Sequence, residues 1–360
     1  MLKKVLLFIL VIICAANAAF AADPGIEVKV GQMIMVGFTG TNIGSKTLAP
    51  LRTQIKNGDI SGVVLLSKNI MNKTQTKKLT SGLKKLDSPY PLLIGVDQEG
   101  GNVARLKKSN GFRYFPSAKK VANTRTPNES YYLYLKMAKM LKGAGFNLNF
   151  APVVDLNINP RSPAIGKYWR SYSANPEKVT KYAEKLIKAH RKVGLLTSLK
   201  HYPGHGSALQ DSHFEVADVT RTWKKEELLP YEKLINMGLV DMIISAHIFN
   251  ANIDPKYPAS LSRVHIQENL RDKLGYDGVV VTDDLQMKAI SEKYPVEEVI
   301  VTAVNSGSDI LFFIDPVELP PRKVKNIILQ AIENGKIKKE RIDESFNRII
   351  KLKNNLKTTT

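Results

Sequence analysis

The densest chemistry in the 360-residue chain is the string Lys200-His201-Tyr202-Pro203-Gly204-His205-Gly206, with Asp211-Ser212-His213 following it four residues later. Three of the six histidines stand there beside one aspartate. Imidazole and carboxylate are metal ligands as well as acids and bases. The spacings fall on no common helix face, and Gly204 and Gly206 describe a bent loop rather than a rigid cage, so acid/base chemistry fits better than a metal site. If Asp211 to His213 is extended, residues two apart project to one side. The carboxylate then takes the proton on one ring nitrogen and leaves the other aimed at a substrate, the orienting half of a triad without its serine. Histidine changes charge near neutrality with little tuning. A surface Asp/His pair with only local hydrogen bonding is the plainer alternative.

Such groups act together only if the fold gathers them. Apolar, β-rich runs at 33–38, 62–66, 92–96, 148–155, 195–200, 241–246, 278–282 and 309–314 predict eight strands, and helical patterns lie between them. One helical pattern is Val179, Tyr182, Ala183, Leu186, Ile187, His190, opened by Asn175 and Pro176 and closed by Gly194. The strands read as continuous Val/Ile/Leu runs, as a parallel sheet buried on both faces requires. Eight strand–helix units predict an α/β fold of the (β/α)8 TIM-barrel type, one domain over about residues 26–355. The polar residues then fall at strand ends: Asp97 and Glu99 after the third, Asp155 on the fourth, Lys200 and His201 on the fifth, His247 on the sixth, Asp283 and Asp284 on the seventh, Asp315 on the eighth. Barrel enzymes gather their chemistry at that rim. A polar strand end is also simply where a loop begins, but acid or imidazole on six rims is hard to ascribe to loop composition alone.

With 43% hydrophobic and 24% charged residues the chain is an ordinary globular sequence, which excludes disorder, and no repeat period appears. The single cysteine, Cys14, lies in an expected leader, so disulfides and thiol chemistry are not expected of the mature chain. Residues 1–22 have a basic start, an apolar run and a small-residue stretch with an Ala19-Phe20-Ala21 site, the layout of a cleaved export signal. Asn17 interrupts the run well short of the roughly 20 apolar residues a membrane anchor needs. Lipid attachment at Cys14 fits less well, because Ile13 precedes it where a small residue is expected. An exported, periplasmic or extracellular protein is expected, membrane-tethered if the leader is retained. The net charge of +20 favours polyanionic surroundings. No nucleic-acid motif accompanies it, and lysines such as Lys136, Lys139, Lys142, Lys181, Lys185 and Lys188 read as solvated helix faces; acidic cell-wall polymers are the sharper alternative.

Four motifs together resemble the family 3 glycoside hydrolases: K-H-Y-P-G-H-G with D-S-H, D-Q-E-G-G at Asp97 to Gly101 followed by Arg105, I-G-K-Y-W-R-S-Y containing Arg170, and G-V-V-V-T-D-D-L at Gly278 to Leu285. The resemblance is nearest to the single-barrel β-N-acetylglucosaminidase branch of peptidoglycan turnover. It implies retaining hydrolysis of terminal β-linked N-acetylglucosamine through a glycosyl-aspartate, with Asp283 as nucleophile, His213 as proton donor and Asp211 as its partner. It assigns Asp97, Arg105, Arg170, Lys200 and His201 to the sugar, and it implies no metal or cofactor. Strand geometry alone leaves Asp283 and Asp284 open, since neighbours face opposite ways and a strand buried on both faces carries no parity cue. The same geometry lets Lys200 and His201 reach one sugar only if the strand breaks between them. The residues Lys167-Tyr168-Trp169 lengthen the usual spacing before Arg170, which predicts Arg170 displaced outward. Only two helical stretches and a Thr tail follow the eighth strand, so no second domain carrying the acid, as in family 3 β-glucosidases, is expected; a monomer is favoured. A β-N-acetylglucosaminide phosphorylase and a non-catalytic glycan-binding barrel are the other readings.

Overall fold

In the computed structural model, which describes residues 23–211 and 215–356, all eight expected strand regions close into one ring. They are β1 (Ile34–Val36), β2 (Gly62–Leu65), β3 (Leu93–Val96), β4 (Leu148–Asn149), β5 (Leu196–Tyr202), β6 (Met242–Ser245), β7 (Val279–Asp284) and β8 (Ile310–Phe313). Each pairs in parallel with its sequence neighbours, and β1 closes on β8 with Ile34 opposite Leu311. Parallel neighbours need a crossover, supplied by helices such as Lys73–Lys84, Pro127–Gly143, Pro176–Arg191 and Val296–Ser306. Val63, Ile94, Leu148, Ile243, Val280 and Ile310 are buried, as the unbroken apolar runs require. The expected leader and His213 lie outside the described residues. Among the described residues no helix is long and apolar enough to cross a membrane.

Two strands depart from expectation, and both departures shape the rim. The fourth was expected over 148–155 but ends at Asn149. Pro152 has no N–H for a ladder, and Ala151 N turns back to the Asn149 carbonyl at 2.8 Å. The chain still tracks β5 through an isolated bridge, Val153 to Lys200, which brings Asp155 alongside His201. β5 runs past its expected end to Tyr202, with cis peptides at Lys200–His201 and Tyr202–Pro203 and a register shift against β6 between Leu199 and Tyr202. That shift is the expected break: Lys200 and His201, which strict alternation would point to opposite sides, both line the same cavity.

The helix Pro176–Arg191 shows how the outer layer steadies the rim. Asn175 Oδ1 accepts from Lys178 N at 3.0 Å, capping it, and Val179, Tyr182, Ala183, Leu186, Ile187 and His190 form its buried face. Burial pushes the His190 imidazole down to about 4, so the ring is neutral at ordinary pH. Its Nδ1 meets the Leu186 carbonyl at 2.9 Å, and its Nε2 accepts from Asn149 at 3.1 Å. Asn149 in turn pairs with both backbone groups of Gln98, at 3.0 and 3.1 Å. A helix residue thereby fixes the backbone between Asp97 and Glu99.

Candidate active site

A cavity of about 320 Å³ opens at the carboxyl ends of the strands. Val64, Ile244, Val281 and Phe312 are among its apolar lining, and Asp97, Arg105, Arg170, Lys200, His201, Asp211, Asp283 and Asp284 supply its polar groups. All the site residues singled out from the sequence, His213 apart, therefore meet in one place. A pocket with apolar surface and a few converging charged groups suits a sugar, which has a C–H face and a rim of hydroxyls.

The polar wall is one connected network. Lys200 Nζ donates to Asp97 at 2.8 Å and lies 2.7 Å from Glu99; Arg105 reaches the other Asp97 oxygen at 3.2 Å. Arg170 grips Glu99 through two bonds of 2.8 and 2.9 Å and also donates to the Ala164 carbonyl. A bidentate guanidinium–carboxylate pair is rigid as well as strong. Burial works to raise the Asp97 and Glu99 carboxyls, yet the cations win. Lys200 and Arg105 hold Asp97 well below the usual range, and Arg170 with Lys200 holds Glu99 near 2. Both are ionised at neutral pH; Asp97 lines the cavity as an acceptor for sugar hydroxyls, and Glu99, behind it, fixes Lys200 and Arg170.

Arg170 decides the state of His201. Its NH2 lies 3.0 Å from His201 Nε2, and guanidinium can only donate, so that nitrogen accepts. The ring proton sits on Nδ1, 2.6 Å from Asp155. Burial opposes ionisation of Asp155, but the His201 ring and the backbone N–H of His205, at 2.7 Å, keep its carboxyl below the usual range. Of the imidazoles at the rim, His201 is thus held as an acceptor for Arg170, a poor arrangement for a proton donor. The outward shift expected of Arg170 does not occur. The residues Lys167-Tyr168-Trp169 are taken up in a turn instead, with Tyr168 at the cavity lining and Trp169 54% exposed, while Trp169 N and Arg170 N bond back to Gly166 and Ile165. The turn absorbs the extra length and the guanidinium stays inside.

The adjacent aspartates differ sharply in surroundings. Asp284 is buried, and its Oδ1 accepts from the backbone of Gln286 at 3.2 Å and of Ile314 at 3.0 Å, tying the end of β7 to β8. Asp283 is the more exposed to the cavity, and its Oδ1 accepts from Asp284 N at 2.9 Å. A register shift between Val281 and Asp284 against β8 lets both reach the rim. Four rim residues stand apart from the cavity lining: Glu99 and Asp155, which lie behind it in the network, His247, buried between Ser260 and the Asp284 carbonyl, and Asp315, exposed and capping a turn at Val317 N.

Three functional groups were not assigned a part from the sequence. Glu99 was visible in D-Q-E-G-G, but nothing local said that it would bridge Lys200 and Arg170. Asp155 was read as a strand end, and its partner lies 46 residues away. Glu227 stands in the charged run Lys224-Lys225-Glu226-Glu227, which reads as solvated, yet it is fully buried. Burial raises its carboxyl to about 7, although the Ser207 hydroxyl and the backbone of Lys224 and Gly206 favour the carboxylate. Among the described residues no group of three His, Cys, Asp or Glu side chains is placed to hold a metal ion.

Comparison with known proteins bears on the family and the fold. The chain is 34% identical over 338 residues to beta-hexosaminidase A of Pseudoalteromonas piscicida, covering 86% of this chain and 56% of that one. It is 35% identical over 276 residues to a beta-hexosaminidase of Tolumonas auensis, covering 74% and 79%. A glycoside hydrolase family 3 beta-N-acetylglucosaminidase from a Paenibacillus species superposes with a TM-score of 0.86 at 34% identity, over 94% of this chain and 64% of that one. This chain thus spans little more than half of the Pseudoalteromonas protein. The profile of the glycosyl hydrolase family 3 N-terminal domain matches residues 25–352, from before β1 into the last helix, and the chain belongs to that family.

Proposed function

We propose that this barrel is a β-N-acetylhexosaminidase that releases terminal β-linked N-acetylglucosamine with retention of configuration. The observation that carries the reading is the one cavity lined by Asp283, Asp211, Asp97, Lys200 and Arg170, the last two tied together by Glu99 behind it. The fixed carboxylates and cations bind the ring hydroxyls, with His201 held in place by Asp155 and Arg170. One Asp283 oxygen attacks the anomeric carbon as the bond to the leaving oxygen breaks, and His213 gives that oxygen its proton. Water then attacks the same carbon, His213 takes the water's proton, and the Asp283 carboxylate is released. Asp211 orients the imidazole.

Retaining glycosidases generally use a second carboxyl as the acid, and a histidine in that part has an electrostatic reason. A muramic-acid leaving group carries a carboxylate, which an ionised glutamate would repel, whereas imidazole acting as base is neutral. The strongly basic chain and its export-type leader support peptidoglycan fragments outside the cytoplasm as substrate. The test is hydrolysis of an aryl β-N-acetylglucosaminide against the matching β-glucoside, with the anomer of the first-formed product read by NMR. Turnover of the former to the β-anomer, lost in Asp283→Asn, is expected; inverted product, or full activity in that variant, overturns the reading. N-terminal sequencing of the exported protein is expected to begin near Ala22 or Asp23.

A further inference from the structure

We propose that Glu227 is a positioning residue for proton transfer, a buried carboxylate that holds the backbone at the root of the loop bearing Asp211 and His213. The proposal rests on the reading of His213 as the acid. Glu227 lies on the short helical turn Lys225–Leu228 and is absent from the cavity lining. Its Oε2 accepts from Gly206 N at 3.2 Å, and its Oε1 accepts from the Ser207 hydroxyl at 2.7 Å. Gly204, at φ +127°, lies so close that a Cβ there would stand 2.7 Å from Glu227 Cβ. The same stretch is held from the cavity side by Asp155, which takes His205 N at 2.7 Å, and Trp223 Nε1 donates to the Pro203 carbonyl at 3.2 Å.

The root of the loop is therefore clamped between two buried carboxylates, one shared with the sugar-binding network and one dedicated to the loop. The two oxygens meet donors on the successive residues Gly206 and Ser207, and Oε1 also takes Lys224 N at 3.4 Å. Glutamine offers one acceptor and one donor group, so either the Gly206 N–H loses its partner or the Ser207 bond must reverse. A general acid must sit within hydrogen-bond reach of its leaving oxygen, and residues 206 and 207 start the segment that leads to Asp211, so an error there is passed along the chain to the proposed partner of the acid. Asp97, Arg105, Arg170 and Asp283 lie on other elements, and the side chains of Lys200 and His201, on β5, are held by Asp97, Glu99, Asp155 and Arg170 rather than by Glu227, so substrate affinity is spared.

The experiment measures kcat and KM for wild type, Glu227→Gln, Ser207→Ala and His213→Ala on aryl β-N-acetylglucosaminides of graded leaving-group pKa, with circular dichroism for folding. General acid help is worth roughly 10²- to 10⁴-fold. Glu227→Gln is expected to lose about 10-fold or more of that on the poorest leaving group and little on the best, at near-constant KM, with a slope moving towards that of His213→Ala. A uniform loss across the series, or none, overturns the proposal while a steep His213→Ala slope leaves the acid assignment standing. A flat His213→Ala slope removes the acid assignment and the proposal with it. If Glu227→Gln does not fold, Ser207→Ala decides the matter by the same slope.

Discussion

Asp283 and Asp284 show how far neighbouring identical residues can diverge in use. Both line the cavity, but Asp283 is the more exposed, whereas Asp284 is buried and its Oδ1 accepts from two backbone N–H groups, joining the ends of β7 and β8. Asp284→Ala strips buried donors of their acceptor, which costs about 1–3 kcal/mol of stability. A lowered melting temperature is expected, while a slow fluorinated N-acetylglucosaminide still labels residue 283. Peptide mapping of the adduct by mass spectrometry checks this, and a label on Asp284 of the wild-type protein, with none on the variant, would reverse the two parts. The Asp97–Lys200–Glu99 bridge makes a second case. Lys200→Met leaves Asp97 with Arg105 and Glu99 with Arg170 but removes the charge they share, and breaking a buried pair in this way costs about 3–5 kcal/mol.

Between β5 and the helix Leu229–Asn236, the described residues are held to their neighbours by polar bonds and by one small apolar cluster, in which Ala208, Ala217, Val219 and Trp223 pack with Ala246 and Ile248. Gly206 is its tightest point: a Cβ there would lie 1.6 Å from the Leu156 carbonyl oxygen, which is backbone and has no rotamer to yield. Gly206→Ala must displace the loop from β4's extension, at a cost of about 1–3 kcal/mol or more. Its activity is expected to fall far more than its melting temperature, because the barrel staves do not depend on this loop. Equal activity with wild type would mean that the loop tolerates displacement.

The barrel separates its two ends. Opposite the cavity, Asp309 just before β8 binds Arg271, Arg341 and Arg348, drawing the last helix, Lys339–Asn354, against the strands. That helix also buries Lys353, which donates to Gln32 at 2.6 Å and to the Ser61 carbonyl at 2.8 Å. Burial pushes its ammonium down to about 7 from 10.5. Between those values the unfolded chain binds a proton that the folded chain does not, so stability rises with pH across that window. Thermal melts of wild type and Lys353→Met from pH 6.5 to 9.5 isolate this group: wild type should gain on the variant as pH rises. Parallel curves would show that Lys353 keeps its proton when folded.

The alternation of strand and helix was legible along the chain because burial on both faces of a parallel barrel demands unbroken apolar runs, and composition reports burial directly. The eight runs, the capped helix after Asn175 and the rim location of the acids followed from that demand. Motif resemblance added parts for Asp97, Arg105, Arg170, Lys200, His201, Asp211, His213 and Asp283, which local pattern could not apportion. The inward seat of Arg170, the pairing of Asp155 with His201, the engagement of Asp284 with backbone and the burial of Glu227 were not legible. Each depends on a partner tens of residues away: Glu99 to Arg170, Asp155 to His201, Asp284 to Ile314, Glu227 to Gly206. Periodicity is a property of a segment and can be read one segment at a time, whereas a hydrogen bond between segments exists only after the ring has closed and set them side by side.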